Sequence, residues 1–194
     1  MDRRNFAMLA SGLTATALTA QGQPAARPFE VAIIGSTGRG DYGHGLDTVW
    51  QRIPRTEIVS VADVNDEGRT REIAKLKLPE AAGYRDYREM LAKVQPDIVA
   101  VCPRYLDQHS DMILSAIEFG AKGIYVEKPF VRTPAEADQV RAASQAHNVR
   151  IAVAHRNRYH PTLNVIGGLL RDGRIGKLLE IRGRGKGDRR GGCE

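Results

Sequence analysis

Two short motifs hold residues that could bind a ligand and transfer a proton to or from it. Gly35–Gly40, with the sequence Gly-Ser-Thr-Gly-Arg-Gly, follows the apolar run 31–34, and Glu127-Lys128-Pro129 follows the run 123–126. Closely spaced glycines at a strand end let backbone N–H groups approach a phosphate. A lysine at another strand end supplies an amine that can exchange a proton. Together the two motifs predict an enzyme that uses a dinucleotide.

The glycine loop departs from the G-x-G-x-x-G pattern at its middle position. Gly35 and Gly40 take the first and last positions, whereas Thr37 takes the middle one and Gly38 stands beside it. The Cβ of Thr37 would crowd a pyrophosphate unless Gly38 shifts the turn. The neighbouring turn 41–44, Asp-Tyr-Gly-His, could bind polar ligands, although nothing in its spacing requires it.

An acidic residue stands at the interval expected for binding a ribose. Asp63 ends the second apolar run, 23 residues after Gly40, and the ribose-binding acid follows such a loop by roughly 20 residues. A carboxylate repels a 2′-phosphate, and neither Val64 nor Asn65 is basic, so the sequence favours NAD over NADP. The alternative interpretation of Asp63 is a cap of the following helix.

Lys128 is the candidate catalytic residue. If this sheet edge holds the cofactor, the amine would be partly desolvated beside the hydride path, where it could deprotonate a hydroxyl or polarise a carbonyl. The alternative is an ordinary solvated lysine. No metal-ligand spacing, nucleophile elbow or cysteine–histidine pair stands out, so we assign no metal site.

Polar residues near other strand ends are further candidates. His109 lies six residues after Pro103, where it could face the nicotinamide, cap a helix or lie in solvent. His155, Arg158 and His160 follow the last apolar run and could line the same edge or belong to the ordinary surface. The candidate cofactor-binding residues are Gly35, Ser36, Thr37, Gly38, Arg39, Gly40, Asp63, Pro103, His109, Glu127, Lys128 and Arg158.

Apolar runs and amphipathic segments alternate from residue 30 onward. This alternation predicts an α/β fold with a doubly wound parallel sheet of the Rossmann type, whose ligand-binding edge contains the carboxyl ends of the strands. The predicted strands are Glu30–Ile34, Thr56–Ala62, Asp97–Cys102, Gly123–Val126 and Val149–Ala154. The predicted helices are Gly45–Arg52, Glu67–Leu76, Tyr87–Lys93, Gln108–Phe119 and Pro134–His147.

The pattern changes after residue 160. We predict a helix over 163–172 and a strand over 177–182, followed by a glycine- and arginine-rich run with nothing to bury. The sequence therefore predicts a nucleotide-binding domain at 30–154 and the start of a truncated second α/β domain at 155–194. The alternative is a single domain with a loose tail.

The first 29 residues are typical of an export signal and linker. Arg3 and Arg4 precede Phe6, and a weakly apolar run over 7–20 follows, which resembles a twin-arginine signal. The alternative is a disordered basic tail. A twin-arginine signal predicts the twin-arginine machinery as a partner and a periplasmic or extracellular location. That route carries folded proteins, so a bound nucleotide could leave with the chain.

Composition narrows the possible partners. The 194-residue chain has a net charge of +6, but residues 30–170 contain 18 basic and 18 acidic residues, which argues against a nucleic-acid surface on the folded body. No apolar stretch reaches the roughly 20 residues of a membrane span. The two cysteines are too few for a disulfide framework, and Cys102 lies in an apolar run, as a core thiol would.

Several short segments, in their order along the chain, resemble the glucose–fructose oxidoreductase and inositol dehydrogenase family, Gfo/Idh/MocA. The resemblance runs from about residue 29 to the end, and Glu-Lys-Pro at a strand end is its most specific element. The segments that carry it are 32–40, 61–63, 97–103, His109, 127–129 and 158–161.

The resemblance implies a Rossmann domain that binds NAD or NADP and a C-terminal α/β domain that forms the substrate site and the oligomer interface. It implies that Lys128 is the catalytic lysine, whose usual partners, an aspartate and a histidine, would fall beyond Glu194. We therefore expect a sugar, cyclitol or polyol oxidoreductase whose turnover is impaired in this chain, and a homo-oligomer only for a longer form. The alternatives are an NAD-dependent glycosidase that oxidises the sugar transiently, and a non-catalytic nucleotide-binding module.

Overall fold

The computed structural model describes residues 27–182. Its centre is a six-stranded, fully parallel sheet with the strand order β3-β2-β1-β4-β5-β6. This is the doubly wound Rossmann order, which reverses between β1 and β4, so the predicted fold class is confirmed. The strands are β1 (Phe29–Ile34), β2 (Thr56–Ala62), β3 (Gly83–Tyr84), β4 (Ile98–Val101), β5 (Gly123–Val126) and β6 (Arg150–Val153).

Helices alternate with these strands, and all of the α-helices described except His109–Glu118 begin at a side-chain cap. Thr133 Oγ1 accepts a hydrogen bond from the backbone N–H of Glu136 at 3.2 Å, and Asn65 Oδ1 accepts one from Gly68 at 2.7 Å. None of the helices between residues 27 and 182 has the length and apolar character needed to cross a bilayer. The helices are α1 (Asp66–Leu76), α2 (Tyr87–Val94), α3 (His109–Glu118), α4 (Pro134–Ala146) and α5 (Pro161–Arg171).

The central strands of the sheet are buried on both faces, as is typical of parallel sheets. Alternate residues of β1 enter two different cores: Ala32 and Ile34 pack with residues of α2, α3 and α4, whereas Val31 and Ile33 face the opposite side. Cys102 is fully buried in this second core, and burial raises the pKa of its thiol. Each buried aliphatic side chain contributes about 1.5–3 kcal/mol to folding.

The segment between β1 and β2 covers the second face without forming the predicted α-helix. Tyr42, Leu46 and Trp50 are buried there at a spacing of four residues, which mimics a helical pattern. Gly43 and Gly45 nevertheless adopt φ values of +66° and +87°, which an α-helix excludes. The helix predicted over 45–52 is therefore wrong, and a short 3-10 turn at Val49–Arg52 is the helical element present. We refer to this segment as the 41–52 connection.

The region after β6 contains one of the two elements predicted there. The helix predicted over 163–172 is confirmed as α5, and several of its apolar side chains, including Leu163 and Val165, are exposed. The strand predicted over 177–182 is wrong, because these residues have no regular structure. No strand described between residues 27 and 182 pairs with them, and an alternating pattern needs a neighbouring strand to form a ladder. The second domain stays a prediction.

An ionic cluster anchors the amino edge of the sheet. Asp97 accepts hydrogen bonds from the Arg27 guanidinium at 2.7 Å, the Lys122 ammonium at 2.7 Å and the backbone N–H of Glu30 at 3.1 Å. Burial would raise the pKa of Asp97, but these donors lower it to about 2. The cluster joins the beginnings of β1, β4 and β5.

A second ionic cluster attaches the 41–52 connection to α1. Lys75 forms ion pairs with the buried carboxylates of Asp47 and Glu72, the latter at 3.1 Å from both oxygens. Desolvation by burial, followed by the neighbouring Asp47, raises the pKa of Glu72 to about 7. The cluster therefore holds two carboxyl groups close to one ammonium.

We predict that Glu72 makes stability fall as pH rises through neutrality. Because the folded-state pKa of Glu72 exceeds its unfolded value of about 4.5, the contribution of the protonated group is complete below pH 4.5 and lost as pH rises through about 7. Glu72→Gln removes this titration and should flatten the pH dependence of the free energy of unfolding by on the order of 1–3 kcal/mol between pH 5 and 8.

Urea denaturation at several pH values measures this effect. The matched control is Glu67→Gln, an exposed position on the same helix, which should keep the wild-type pH dependence. An identical pH dependence in Glu72→Gln and wild type would contradict the role assigned to Glu72.

Candidate nucleotide and catalytic site

Two cavities flank the glycine loop at the carboxyl edge of the sheet. One, of about 710 Å³, contains Asp63 together with Gly35, Ser36 and Arg39, and we call it the Asp63 cavity. The other, of about 720 Å³, contains Lys128, and we call it the Lys128 cavity. The fold thus brings sequence-distant candidate residues to two neighbouring sites on one edge.

The glycine loop forms a tight turn that uses its glycines mostly for internal packing. A Cβ on Gly35 would collide with the Tyr42 ring, and a Cβ on Gly40 would collide with the backbone of Arg104. Gly38 differs, because it has a φ of +83° and no atom lies within 4 Å of the position that its Cβ would take. Gly38 is therefore the loop position at which a phosphate can approach the backbone closely.

Thr37 does not crowd this open position. Its Oγ1 donates a hydrogen bond to Asp63 Oδ2 at 2.7 Å, and its side chain packs against Gly68 of α1, where a Cβ would collide with it. Because Gly68 has no side chain, there is room for the Thr37 side chain to pack against α1 and away from the open position at Gly38. The loop accommodates a residue with a Cβ at the middle position for this reason.

The backbone N–H groups of residues 35–39 in the loop donate hydrogen bonds within the protein. Those of Ser36 and Gly38 donate to the carbonyl oxygen and Oδ1 of Asp41, at 3.1 and 2.9 Å, and that of Thr37 donates to Asp63 at 3.0 Å. The sequence predicted that these N–H groups would contact a phosphate, but they bond within the protein. The helix predicted at 45–52, whose N-terminus would also face a phosphate, is missing. The mostly exposed side chain of Arg39, which pairs with Asp107 at 2.6 Å, supplies positive charge beside the loop.

Asp63 is buried at the end of β2, with 2% of its surface exposed. Its Oδ2 accepts two hydrogen bonds from Thr37, and its Oδ1 accepts one from the backbone N–H of Asn65 at 2.9 Å. Asn65, rather than Asp63, caps α1, so the capping interpretation is wrong. A carboxylate has about four acceptor positions, which leaves one on Oδ1 for a further donor.

Glu127 forms the floor of the Lys128 cavity and is 1% exposed. Its Oε1 accepts the backbone N–H of Lys128 at 2.8 Å, and its Oε2 lies 2.9 Å from both the backbone N and Nδ1 of His44. The Lys128 side chain is exposed rather than desolvated in the described residues. Arg158 and His155 line the same cavity, whereas His160 accepts a hydrogen bond at the start of α5.

His109 does not face either cavity. It is fully buried, with Nε2 at 2.7 Å from the Pro103 carbonyl oxygen and Nδ1 at 3.0 and 3.1 Å from those of Pro129 and Phe130. His109 is therefore neither solvated nor the N-cap of α3, a position taken by Gln108. Its contact with the nicotinamide stays a prediction. His109 joins the loop after β4 to the loop after β5 and so helps to fix the position of Lys128.

The sequence placed His44 in a turn that could bind polar ligands but did not single it out, and the structure places it in the lining of the Lys128 cavity. Its carboxylate partner is 83 residues away in sequence, so no local spacing could reveal the pair. A usable signal was the pair of glycines that flank His44, because they permit a close approach of the backbone to a buried group.

Comparisons with known proteins agree with this architecture. The profile of an oxidoreductase family with an NAD-binding Rossmann fold, GFO_IDH_MocA, matches residues 29–155. D-apiose dehydrogenase from Paraburkholderia graminis is 30% identical over 153 residues, which are 76% of this chain and 38% of that protein. Inositol 2-dehydrogenase from Pseudomonas fluorescens is 26% identical over 150 residues, 76% of this chain and 44% of that protein.

The crystal structure of myo-inositol 2-dehydrogenase from Lactobacillus plantarum has the same fold. It aligns with a TM-score of 0.68 at 21% identity, over 79% of this chain and 44% of that one. The chain spans about two fifths of the length of the curated relatives named above. Since the family profile extends through all six strands of the sheet, the chain belongs to the Gfo/Idh/MocA oxidoreductase family.

Proposed function

We propose that this chain binds NAD and forms the nucleotide-binding part of an oxidoreductase that acts on a hydroxyl group of a sugar, cyclitol or related polyol. The observation that carries the proposal is the position of Asp63 and Lys128 in two cavities on either side of one glycine loop. A dinucleotide bound across this edge has its ribose and its nicotinamide at opposite sides of the loop.

The residues of the Asp63 cavity fit the adenosine half of NAD. The remaining acceptor position on Asp63 suits a ribose hydroxyl, and its negative charge disfavours the 2′-phosphate of NADP. Gly38 permits close approach of the diphosphate, and Arg39 offsets its charge. Because N–H groups of the loop already bond within the protein, side-chain charge contributes more to binding the diphosphate here than a helix N-terminus does.

The residues of the Lys128 cavity fit the reacting half of the complex. Nicotinamide supplies a hydride acceptor when it is bound. Lys128 can exchange the proton of a substrate hydroxyl, and the hydrogen bond between its backbone N–H and Glu127 fixes the main chain at this point. The relatives named for D-apiose and inositol support a substrate with several hydroxyl groups.

We predict that NADH binds and that Asp63 determines the preference for NADH over NADPH. Asp63→Ala should weaken NADH binding about 10- to 100-fold, since a hydrogen bond to a charged group is worth about 1.5–3 kcal/mol, and should weaken NADPH binding less. Quenching of Trp50, the single tryptophan, measures both dissociation constants. Trp50 stacks edge-on against Tyr125 of the Lys128 cavity, with ring centroids 5.9 Å apart.

The ratio of the two dissociation constants distinguishes a direct contact of Asp63 with the nucleotide from damage to the fold. Loss of the Thr37–Asp63 hydrogen bonds alone would weaken both nucleotides equally and leave the ratio unchanged. Asp138→Ala, at an exposed position on α4, is the matched control and should change neither constant. Failure of the wild-type protein to bind NADH would disprove the proposal.

We predict that Lys128 is needed for turnover and not for nucleotide binding. In a longer form that includes the predicted second domain, Lys128→Ala should lower kcat about 10²- to 10⁴-fold, the usual contribution of a proton-transfer group, and leave the NADH dissociation constant within about threefold. Reduction of NAD⁺ with a panel of cyclitols and aldoses measures turnover. Lys93→Ala, which alters an exposed lysine on α2, serves as control; wild-type kcat in Lys128→Ala would remove the assigned role.

We also propose that residues 1–29 direct export by the twin-arginine route; residues 1–26 lie outside the described part of the chain. Replacing Arg3 and Arg4 with lysine should keep the protein in the cytoplasm, because the machinery recognises the arginine pair. Cell fractionation followed by immunoblotting measures the exported share, with Arg71→Lys on α1 as the control. Equal export of the double variant and the wild type would refute this proposal.

A further inference from the structure

His44 lies where the Lys128 cavity meets a buried carboxylate. Nδ1 of His44 is 2.9 Å from Glu127 Oε2, and the backbone N–H of His44 donates to the same oxygen at 2.9 Å. Glu127 is almost completely buried, whereas 39% of the His44 side chain is exposed at the cavity. The imidazole is thus held at one nitrogen by a fixed acceptor and accessible at the other.

The contacts of Glu127 determine which nitrogen of His44 carries hydrogen. Both carboxylate oxygens accept backbone N–H groups, since Oε1 receives that of Lys128 at 2.8 Å. A carboxylate in this role is an acceptor only, so Nδ1 of His44 must be the donor. In the neutral ring Nε2 then has a lone pair. Nε2 has no hydrogen-bond partner within residues 27–182, which leaves this lone pair for a ligand.

The glycine before His44 is required for this arrangement. Gly43 has a φ of +66°, and a Cβ at this position would lie 2.7 Å from Glu127 Oε2 and 2.6 Å from the Cys102 carbonyl oxygen. Any side chain there would separate the connection from the end of β5. The backbone therefore approaches the carboxylate closely enough for both His44 contacts.

The other charged groups of the cavity have the opposite hydrogen-bonding character. The Lys128 ammonium and the Arg158 guanidinium line the same space and can only donate. His155 is a further titratable group in the lining. A ligand group that both donates and accepts, such as a hydroxyl or a primary amide, needs an acceptor as well as these donors, and Nε2 of His44 can supply it.

Resting on the function proposed above, we propose that His44 accepts a hydrogen bond at Nε2 from the ligand of the Lys128 cavity, and that Glu127 acts as the positioning residue that fixes the required tautomer. The donor is either the nicotinamide carboxamide or a hydroxyl group of the substrate. In both cases the ligand contributes an N–H or O–H group, and no covalent bond changes at His44.

Nitrogen-15 NMR of the histidine side chains tests the tautomer directly. We expect His44 to carry its hydrogen on Nδ1 in the wild-type protein. In Glu127→Ala the acceptor for the Nδ1 hydrogen is lost, so the population should move toward the tautomer with hydrogen on Nε2. His147, exposed at the end of α4, should show no change. Hydrogen on Nε2 in the wild type, or no response to Glu127→Ala, overturns the proposal.

Binding measurements identify the donor. His44→Phe keeps a ring but lacks the lone pair, and should weaken NAD⁺ binding about 3- to 10-fold if the carboxamide is the donor. Nicotinic acid adenine dinucleotide lacks the amide N–H group and should then bind His44→Phe and wild type equally. If a hydroxyl is the donor, NAD⁺ affinity should be unchanged and myo-inositol should bind the NADH complex about 3- to 10-fold more weakly.

Two controls separate the loss of the His44 hydrogen bond from structural effects of the substitution. His147→Phe should leave every dissociation constant unchanged, and thermal unfolding without ligand reports any loss of packing in His44→Phe. Equal binding of NAD⁺ and of myo-inositol by His44→Phe and wild type overturns the role of His44 alone. A wild-type protein that binds no NAD⁺ overturns the proposed function together with this inference, so the two failures are distinguishable.

Discussion

A parallel sheet must bury both faces, and in this protein one face is covered by a connection that is not helical. Tyr42, Leu46 and Trp50 enter the second core from the 41–52 connection, while Lys75 joins it to α1 through Asp47 and Glu72. Because apolar burial dominates folding energetics, this packing fixes the path of the chain directly after β1. The glycine loop and His44 take their positions from that path.

Buried polar groups bonded to main-chain atoms then hold the edge of the sheet together. Glu127 joins the 41–52 connection to the end of β5, and His109 joins the loop after β4 to Pro129 and Phe130. A buried polar group is costly unless it is hydrogen-bonded, so each of these side chains accepts few alternative positions. The segments that border the two cavities are therefore held in position before any ligand binds.

The sequence predicts those parts of this structure that local patterns encode. Five strands appear as short apolar runs, and Thr133-Pro134 marks the start of α4, because burial and capping act within a few residues of the chain. The four-residue spacing of Tyr42, Leu46 and Trp50 indicated a helix, but glycine backbone conformations override that pattern. The His44–Glu127 pair and the buried site of His109 arise from contacts between distant segments, which no local spacing contains.

The anchor at the amino edge has a consequence for the proposed export signal. Arg27 is the first described residue and binds the buried carboxylate of Asp97, which also bonds to Glu30 and Lys122. A peptidase that cuts before residue 27 leaves this carboxylate fully partnered. A cut one residue later removes the guanidinium and leaves Asp97 with fewer donors at the point where three strands begin. If the proposed signal is cleaved, the charge balance of the sheet therefore sets a sharp downstream limit on the position of the cut.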